Sequence, residues 1–175
     1  VPIEKRRPIA RPHQKIAFDV VDYGIIKRRV QLGDDETHSM FDTGHPVMFP
    51  NMLQVGSPQK QTIQFRVPID DTSTLHISIY TFRAADGTTV PKQDPVPYWY
   101  VPIQDADDRF IVDIQFNQDY MAWITQGSVA RRDLEKLGES DKGIILFRKQ
   151  LEEQMRLVED GADPMNVFRR PMAPI

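Results

Sequence analysis

The stretch SDKGIILFRKQLEEQMRLVEDG, Ser140 to Gly161, decides the fold. Ile144, Phe147, Leu151, Met155 and Val158 recur at spacings of three, four, four and three, which draws one apolar stripe along a helix. Ser140 is a candidate N-cap, since its hydroxyl can accept a backbone N–H of the first turn, and Gly161 is placed to end the helix in a left-handed conformation. An apolar stripe must be laid on something. What precedes it reads with a period of two. KIAFDVVDYGIIKRRVQL, Lys15 to Leu32, is rich in β-branched and aromatic residues and breaks at Tyr23-Gly24, so it is one strand bent at Gly24 or two strands. HPVMFPNMLQVG, His45 to Gly56, reads as a further strand with Pro50 inside it. Proline has no N–H for a ladder bond, so that strand is expected to bulge or lie at an edge there. TIQFRVPI and STLHISIYTF, separated by Asp70-Asp71, predict an antiparallel hairpin. Strands first and helices last give an α+β fold, an antiparallel sheet gripping a long C-terminal helix.

Composition bounds the function. The chain has 175 residues, 40% hydrophobic and 27% charged, with a net charge of -3, within the size of one domain. No basic stripe with interleaved aromatics is present, so nucleic acid is not expected as a partner. The densest positive run, Glu4 to Arg7, reads as a solvated segment. There is no cysteine, which excludes disulfides, thiolate chemistry and an iron–sulfur cluster held by this chain alone. Without an apolar run long enough to span a bilayer, or a charged-then-apolar leader, the expectation is a cytoplasmic protein with no membrane partner. The opening VPIEKRRPIARP lacks an initiator Met and reads as the interior of a longer polypeptide.

Candidate chemistry is sparse. His13, His38, His45 and His76 form neither H-x-x-x-x-H nor H-E-x-x-H. Ser128 follows Gly127 without the frame of a nucleophile elbow. Asp70-Asp71 reads as a turn between strands. Asp119 stands at the head of the segment FNQDYMAWITQG, Phe116 to Gly127, where an acid in the first turn of a helix favours the dipole and needs no metal.

Six pieces in order, HPVMFPNMLQVG, QFRVPIDDTSTLHISIY, VPYWYVP, NQDYMAWITQG, LGESDKGIILFRKQLEEQM and DPMNVFR, resemble the C-terminal catalytic domain of Rieske non-haem iron oxygenases, in the phthalate dioxygenase-like branch that includes dehydrodivanillate O-demethylation. The likeness runs from about His13 onward. It implies a helix-grip, START/Bet v 1-like fold and a mononuclear Fe(II) held by two His of an upstream D-x-x-H-x-x-x-x-H helix and one late Asp. Asp119 matches that carboxylate in Q-D-x-x-A-x-x-x-Q-G. The resemblance further implies a [2Fe–2S] Rieske cluster in an N-terminal domain outside this chain. Two imidazoles and a carboxylate on one face of iron leave the other face open to O2. The sequence departs from the family's Q-G-P-I-x-D-R, reading QGSVARR with Ser128 and Arg131 at the Pro and Asp positions.

The resulting expectation is a catalytic domain over residues 1–160 and an extended tail over 161–175, both part of a larger oxygenase subunit. That subunit would hydroxylate or O-demethylate an aromatic acid with O2 and NADH-derived electrons. A reductase or ferredoxin would supply the electrons, and the assembly would be a homotrimer. Asn51 and His45 are the candidate substrate-facing residues, and the 175-residue piece alone is expected to be inactive. The competing readings are an iron-free helix-grip module for a hydrophobic small molecule and an accessory subunit that builds the oligomer.

Overall fold

The structure is a computed structural model that describes residues 11–57, 59–84 and 86–170. The Glu4–Arg7 run and the last five residues of the expected tail lie outside the described residues. Contacts divide the chain into two compact units. One comprises the described residues up to Val67, His76–Arg83 and everything from Leu137, and the other comprises Pro68–Leu75 and Ala84–Lys136.

The first unit carries the sheet and the long helix, as the α+β reading requires. Six strands, β1 (His13–Val21), β2 (Gly24–Gln31), β3 (His45–Met48), β4 (Met52–Gly56), β5 (Lys60–Pro68) and β6 (Thr74–Phe82), lie side by side in chain order. Consecutive order follows from the short connections, each of which lets a strand fold back on its predecessor. The Lys15–Leu32 stretch is two strands, paired from Val21↔Gly24 out to His13↔Gln31. A four-residue helix α1 (Ser39–Asp42) joins β2 to β3, capped by His38, whose Nδ1 accepts the Met40 N–H. The β5–β6 hairpin turns at Asp70, whose carboxylate accepts the Thr72 N–H and hydroxyl, so these adjacent acids serve the turn.

Two expectations need correction. His45 to Gly56 is a hairpin and not one strand: Val47 pairs with Leu53 and Met48 with Met52 around Phe49–Asn51. Pro50 breaks the ladder because it has no N–H to donate, and here it sits at the turn itself. The second concerns helix α3 (Lys142–Glu159), which is preceded by a 3-10 turn over Glu139–Asp141, so that Ser140 lies within the turn and Asp141 takes the cap position. Gly161 ends the helix at φ +81 as expected. The stripe, however, is largely uncovered: Ile144, Leu151, Met155 and Val158 are 39–54% exposed. The covered face runs through Gly143, Leu146, Phe147, Gln150 and Gln154, one helical surface at spacings of three, one, three and four.

That face is chosen by close approach and by polar pairing. A Cβ on Gly143 would overlap the Phe18 ring of β1, so glycine lets the helix start lie directly on the sheet. Phe147 meets the buried Phe49 with ring centroids 6.1 Å apart. Gln154 Oε1 accepts the Met165 N–H at 2.6 Å. The segment after α3 is then stapled to the sheet by Asn166, at φ +67, whose side-chain amide donates to Phe49 O at 2.6 Å and to Tyr23 O at 3.1 Å.

Asn166→Ala removes both donors and leaves the Phe49 carbonyl, in a buried residue, without its partner. The expected loss is about 1–3 kcal/mol of unfolding free energy, since an orphaned buried acceptor forfeits its full desolvation cost. Urea denaturation with an unchanged m-value would register it as a lower midpoint.

Candidate metal centre

The second unit carries helix α2 (Gln115–Ile124) behind a long irregular segment that is bridged at Gln104↔Phe110. Asp105 organises the turn within that bridge by accepting the N–H groups of Asp107 and Arg109. The α2 helix begins after Ile114, which offers no side-chain cap. Asn117, 3% exposed, anchors it instead by donating to Pro102 O at 3.2 Å, and Gln118 donates to Val112 O. The rings of Phe116, Tyr120 and Trp123 follow one another along the helix at centroid distances of 6.3 and 5.6 Å.

Asp119 is the fifth residue of α2, in its second turn, and no acid occupies the first turn. The first-turn dipole explanation therefore fails. Its side chain is half-buried and makes no hydrogen bond or ion pair among the described residues. A half-buried carboxylate with both oxygens free is what a hard cation needs from one ligand. Among the described residues no three His, Cys, Asp or Glu side chains gather as a metal-binding group, so the fit is to one ligand of a set. Arg131, the residue that departs from the family pattern, is absorbed locally. Its guanidinium donates twice to Asp133, at 2.8 and 2.6 Å, and each partner holds the other's charged form, raising the Arg131 pKa and lowering that of Asp133.

In the first unit, Asn51 lies in the β3–β4 turn, half-buried, and its carbonyl accepts the Arg66 N–H at 3.0 Å. His45 opens β3, is 9% exposed, and has its Nε2 buried without a hydrogen-bond partner. Directly opposite it on β2 stands Lys27, and Arg29 lies two residues further on the same face. Burial first, then the charges of Arg29 and Lys27, push the His45 pKa down from 6.5 to about 4. Lys27 and Arg29 were not singled out by sequence reasoning. The signal was a basic residue at alternate positions of a strand that must bury one face.

The depressed His45 pKa has a sign that can be tested. Between pH 6.5 and about 4 the unfolded chain binds a proton at His45 that the folded chain does not. The neutral imidazole's contribution is complete above pH 6.5 and is lost as pH falls towards 4, a decline of about 3 kcal/mol at 1.36 kcal/mol per pH unit. His45→Gln is expected to flatten the stability profile in that window. Denaturant midpoints at pH 4.5 and 7 for both proteins check this, and parallel profiles would contradict it.

Comparison with known proteins bears on the family. Residues 106–173, which include Asp119, match a family described as LigXa C-terminal domain like. The chain is 34% identical over 164 residues to the 5,5'-dehydrodivanillate O-demethylase oxygenase subunit of Sphingobium sp. (strain NBRC 103272 / SYK-6), covering 94% of this chain and 38% of that protein. Together these matches support a Rieske-oxygenase C-terminal domain. A second relative, the phenoxybenzoate dioxygenase subunit alpha of Ectopseudomonas oleovorans, is 25% identical over 159 residues, covering 87% of this chain and 37% of that protein. The chain thus spans somewhat more than a third of the length of these curated relatives. No helix among its described residues is long and apolar enough to cross a membrane.

Proposed function

We propose that this domain is the iron- and substrate-binding part of an oxygenase subunit that hydroxylates or O-demethylates an aromatic acid, using O2 and electrons that originate in NADH. The observation that carries the reading is Asp119: a half-buried carboxylate without a partner among the described residues, on a helix inside the matched range 106–173 whose Q-D-x-x-A-x-x-x-Q-G resembles an iron-bearing segment. The names of the relatives favour the substrate class, one a demethylase of dehydrodivanillate and the other a dioxygenase of phenoxybenzoate, both aromatic carboxylates.

Bound Fe(II) would supply the activation of dioxygen, with two His ligands from elsewhere in the subunit. The chain's own part is to hold and exclude. Asp119 presents anionic oxygen from a helix, a rigid element that keeps a ligand's direction fixed. The Phe116, Tyr120 and Trp123 rings give the same helix an aromatic flank. Asn51 and His45 are assigned to the substrate side, as polar groups that orient an aromatic ring's oxygen substituents. A [2Fe–2S] Rieske cluster, a reductase or ferredoxin partner, a homotrimeric assembly and a cytoplasmic setting complete the proposal. So does a catalytic domain reaching to residue 160 with a tail beyond it. The piece on its own, offering one ligand, would neither hold iron nor turn over substrate.

Metal analysis of the complete subunit tests the reading. Iron beyond that of the cluster, and product formed from an aromatic acid at the expense of NADH, are the expected results. A complete subunit with no mononuclear iron would overturn it.

A further inference from the structure

The face of the sheet that meets α3 is more cationic than its neighbours require. Phe18 abuts Gly143 of α3 and is paired with Lys27, which is itself paired with His45. Side chains alternate across a strand, so Lys27 and Arg29 of β2 share this helix-facing side with His45. The same alternation through Val47↔Leu53 and Leu53↔Gln64 places Gln64 there too. His45 is 9% and Gln64 6% exposed, while Lys27 and Arg29 are half-buried. Arg66 joins the row by donating to Gln64 Oε1 at 2.9 Å.

Counter-charge is short among the described residues. Asp19 is taken by Arg28, whose side chain lies on the opposite face and also donates to the Phe41 and Asp42 carbonyls. Asp34 is taken by Arg11 and Glu36 by Lys15. Asp141 at the head of α3 is the acid whose field reaches Lys27, raising its pKa, and it already accepts the Gly138 N–H. Burial and the neighbouring Arg29 outweigh it, so the Lys27 pKa is lowered on balance. Burial also lowers that of Arg29. His13, at the margin of the patch, is pushed down by its own burial and by the same two cations. Arg29 Nε and His45 Nε2 are buried with no hydrogen-bond partner among the described residues. Two half-buried cations side by side, with orphaned donors next to them, are costly unless an anion completes the arrangement. A carboxylate brings one negative charge and two acceptor oxygens, which suits an Arg fork beside an ammonium.

The geometry points to Lys27, Arg29 and His45 as a binding site for the carboxylate of an organic acid, between the sheet and α3. Its service to oxygenase chemistry rests on the reading above. The binding itself does not.

The experiment is calorimetric titration of the complete oxygenase subunit with benzoate and with methyl benzoate, which keeps the ring and removes the charge. Benzoate is expected to bind at least about tenfold more tightly than the ester, a difference of about 1.4 kcal/mol. Lys27→Met and Arg29→Gln are each expected to weaken benzoate by a similar factor and to leave the ester unchanged. Arg29→Lys, which keeps the charge, should retain most of the preference, and Lys149→Gln, on the exposed side of α3, all of it. Equal binding of acid and ester by the unaltered protein would overturn the assignment without any variant. So would benzoate affinity unmoved by both charge-removing substitutions. Neither measurement reads iron or turnover. A subunit with iron and product but no acid preference would remove the patch and leave the oxygenase reading standing. Acid selectivity without mononuclear iron would do the opposite.

Discussion

On the proposed function, Asp119→Asn in the complete subunit is expected to abolish product formation and to remove the proposed mononuclear iron, while the visible absorption of the proposed Rieske cluster persists. The substitution keeps the shape of the side chain and removes the charge, so it separates ligation from packing. Outer-sphere partners of metal ligands already account for roughly 10- to 100-fold in affinity or activity. Losing the carboxylate that the proposal assigns to the iron should therefore exceed about a hundredfold. The competing explanation has little room, because Asp119 is in the second turn of α2 with no ion pair to lose among the described residues. A helix-terminus charge would cost about 0.3–1 kcal/mol at the first turn and less here. Iron per subunit and product per NADH, measured together, decide the matter. Retained iron with retained turnover would take Asp119 out of the site and most of the oxygenase proposal with it.

The largest stability effect is expected at Gly24, the residue where the Lys15–Leu32 stretch turns back on itself. It sits at φ +146, a region essentially closed to residues with a Cβ, and a Cβ there would overlap the Val47 carbonyl oxygen of the neighbouring strand and press on Phe49 N. These are backbone atoms and cannot rotate away. The strained backbone costs about 1–3 kcal/mol and the overpacking a similar amount, so Gly24→Ala should lose about 4 kcal/mol. For a chain of this size that lowers the melting temperature by roughly 8–16 °C. Gly87 is the control. It also has positive φ, at +77, but nothing lies within 4 Å of an added Cβ, so Gly87→Ala should cost only the backbone part. Equal losses at the two glycines would mean that the approach of β3 to β2 is not tight.

Where the sequence was legible, one local rule sufficed. The Asp70 turn, the break before Gly24 and the stop at Gly161 each follow from a side chain or a missing side chain acting within a few residues. Reading failed where the outcome depended on residues far along the chain. Pro50 was readable as a ladder-breaker, but whether it bulges a strand or turns it depends on Met48 finding Met52. The face that α3 presents was mistaken because apolar periodicity names a stripe and not its cover. Gly143 against Phe18, and Gln154 against the Met165 backbone, rotate the helix away from that stripe. Asp119 was misplaced by a turn because α2 starts at an uncapped Ile114 and so carries no start signal. The Lys27–Arg29 patch was hidden for a related reason. Its meaning rests on His45 in the facing strand and on the shortage of acids around it.

The outward stripe of α3 has a colloidal consequence. The last strand of the sheet, β6, adds Leu75, Ile77 and Ile79, 42–45% exposed, along the edge of the sheet. Open strand edges and contiguous apolar surface are the two features through which protein molecules attract one another in solution. With a net charge of only -3 to oppose it, this segment in isolation should have a negative second virial coefficient at neutral pH. Added sodium chloride would screen what repulsion there is, and light scattering would rise with concentration well before the fold is lost.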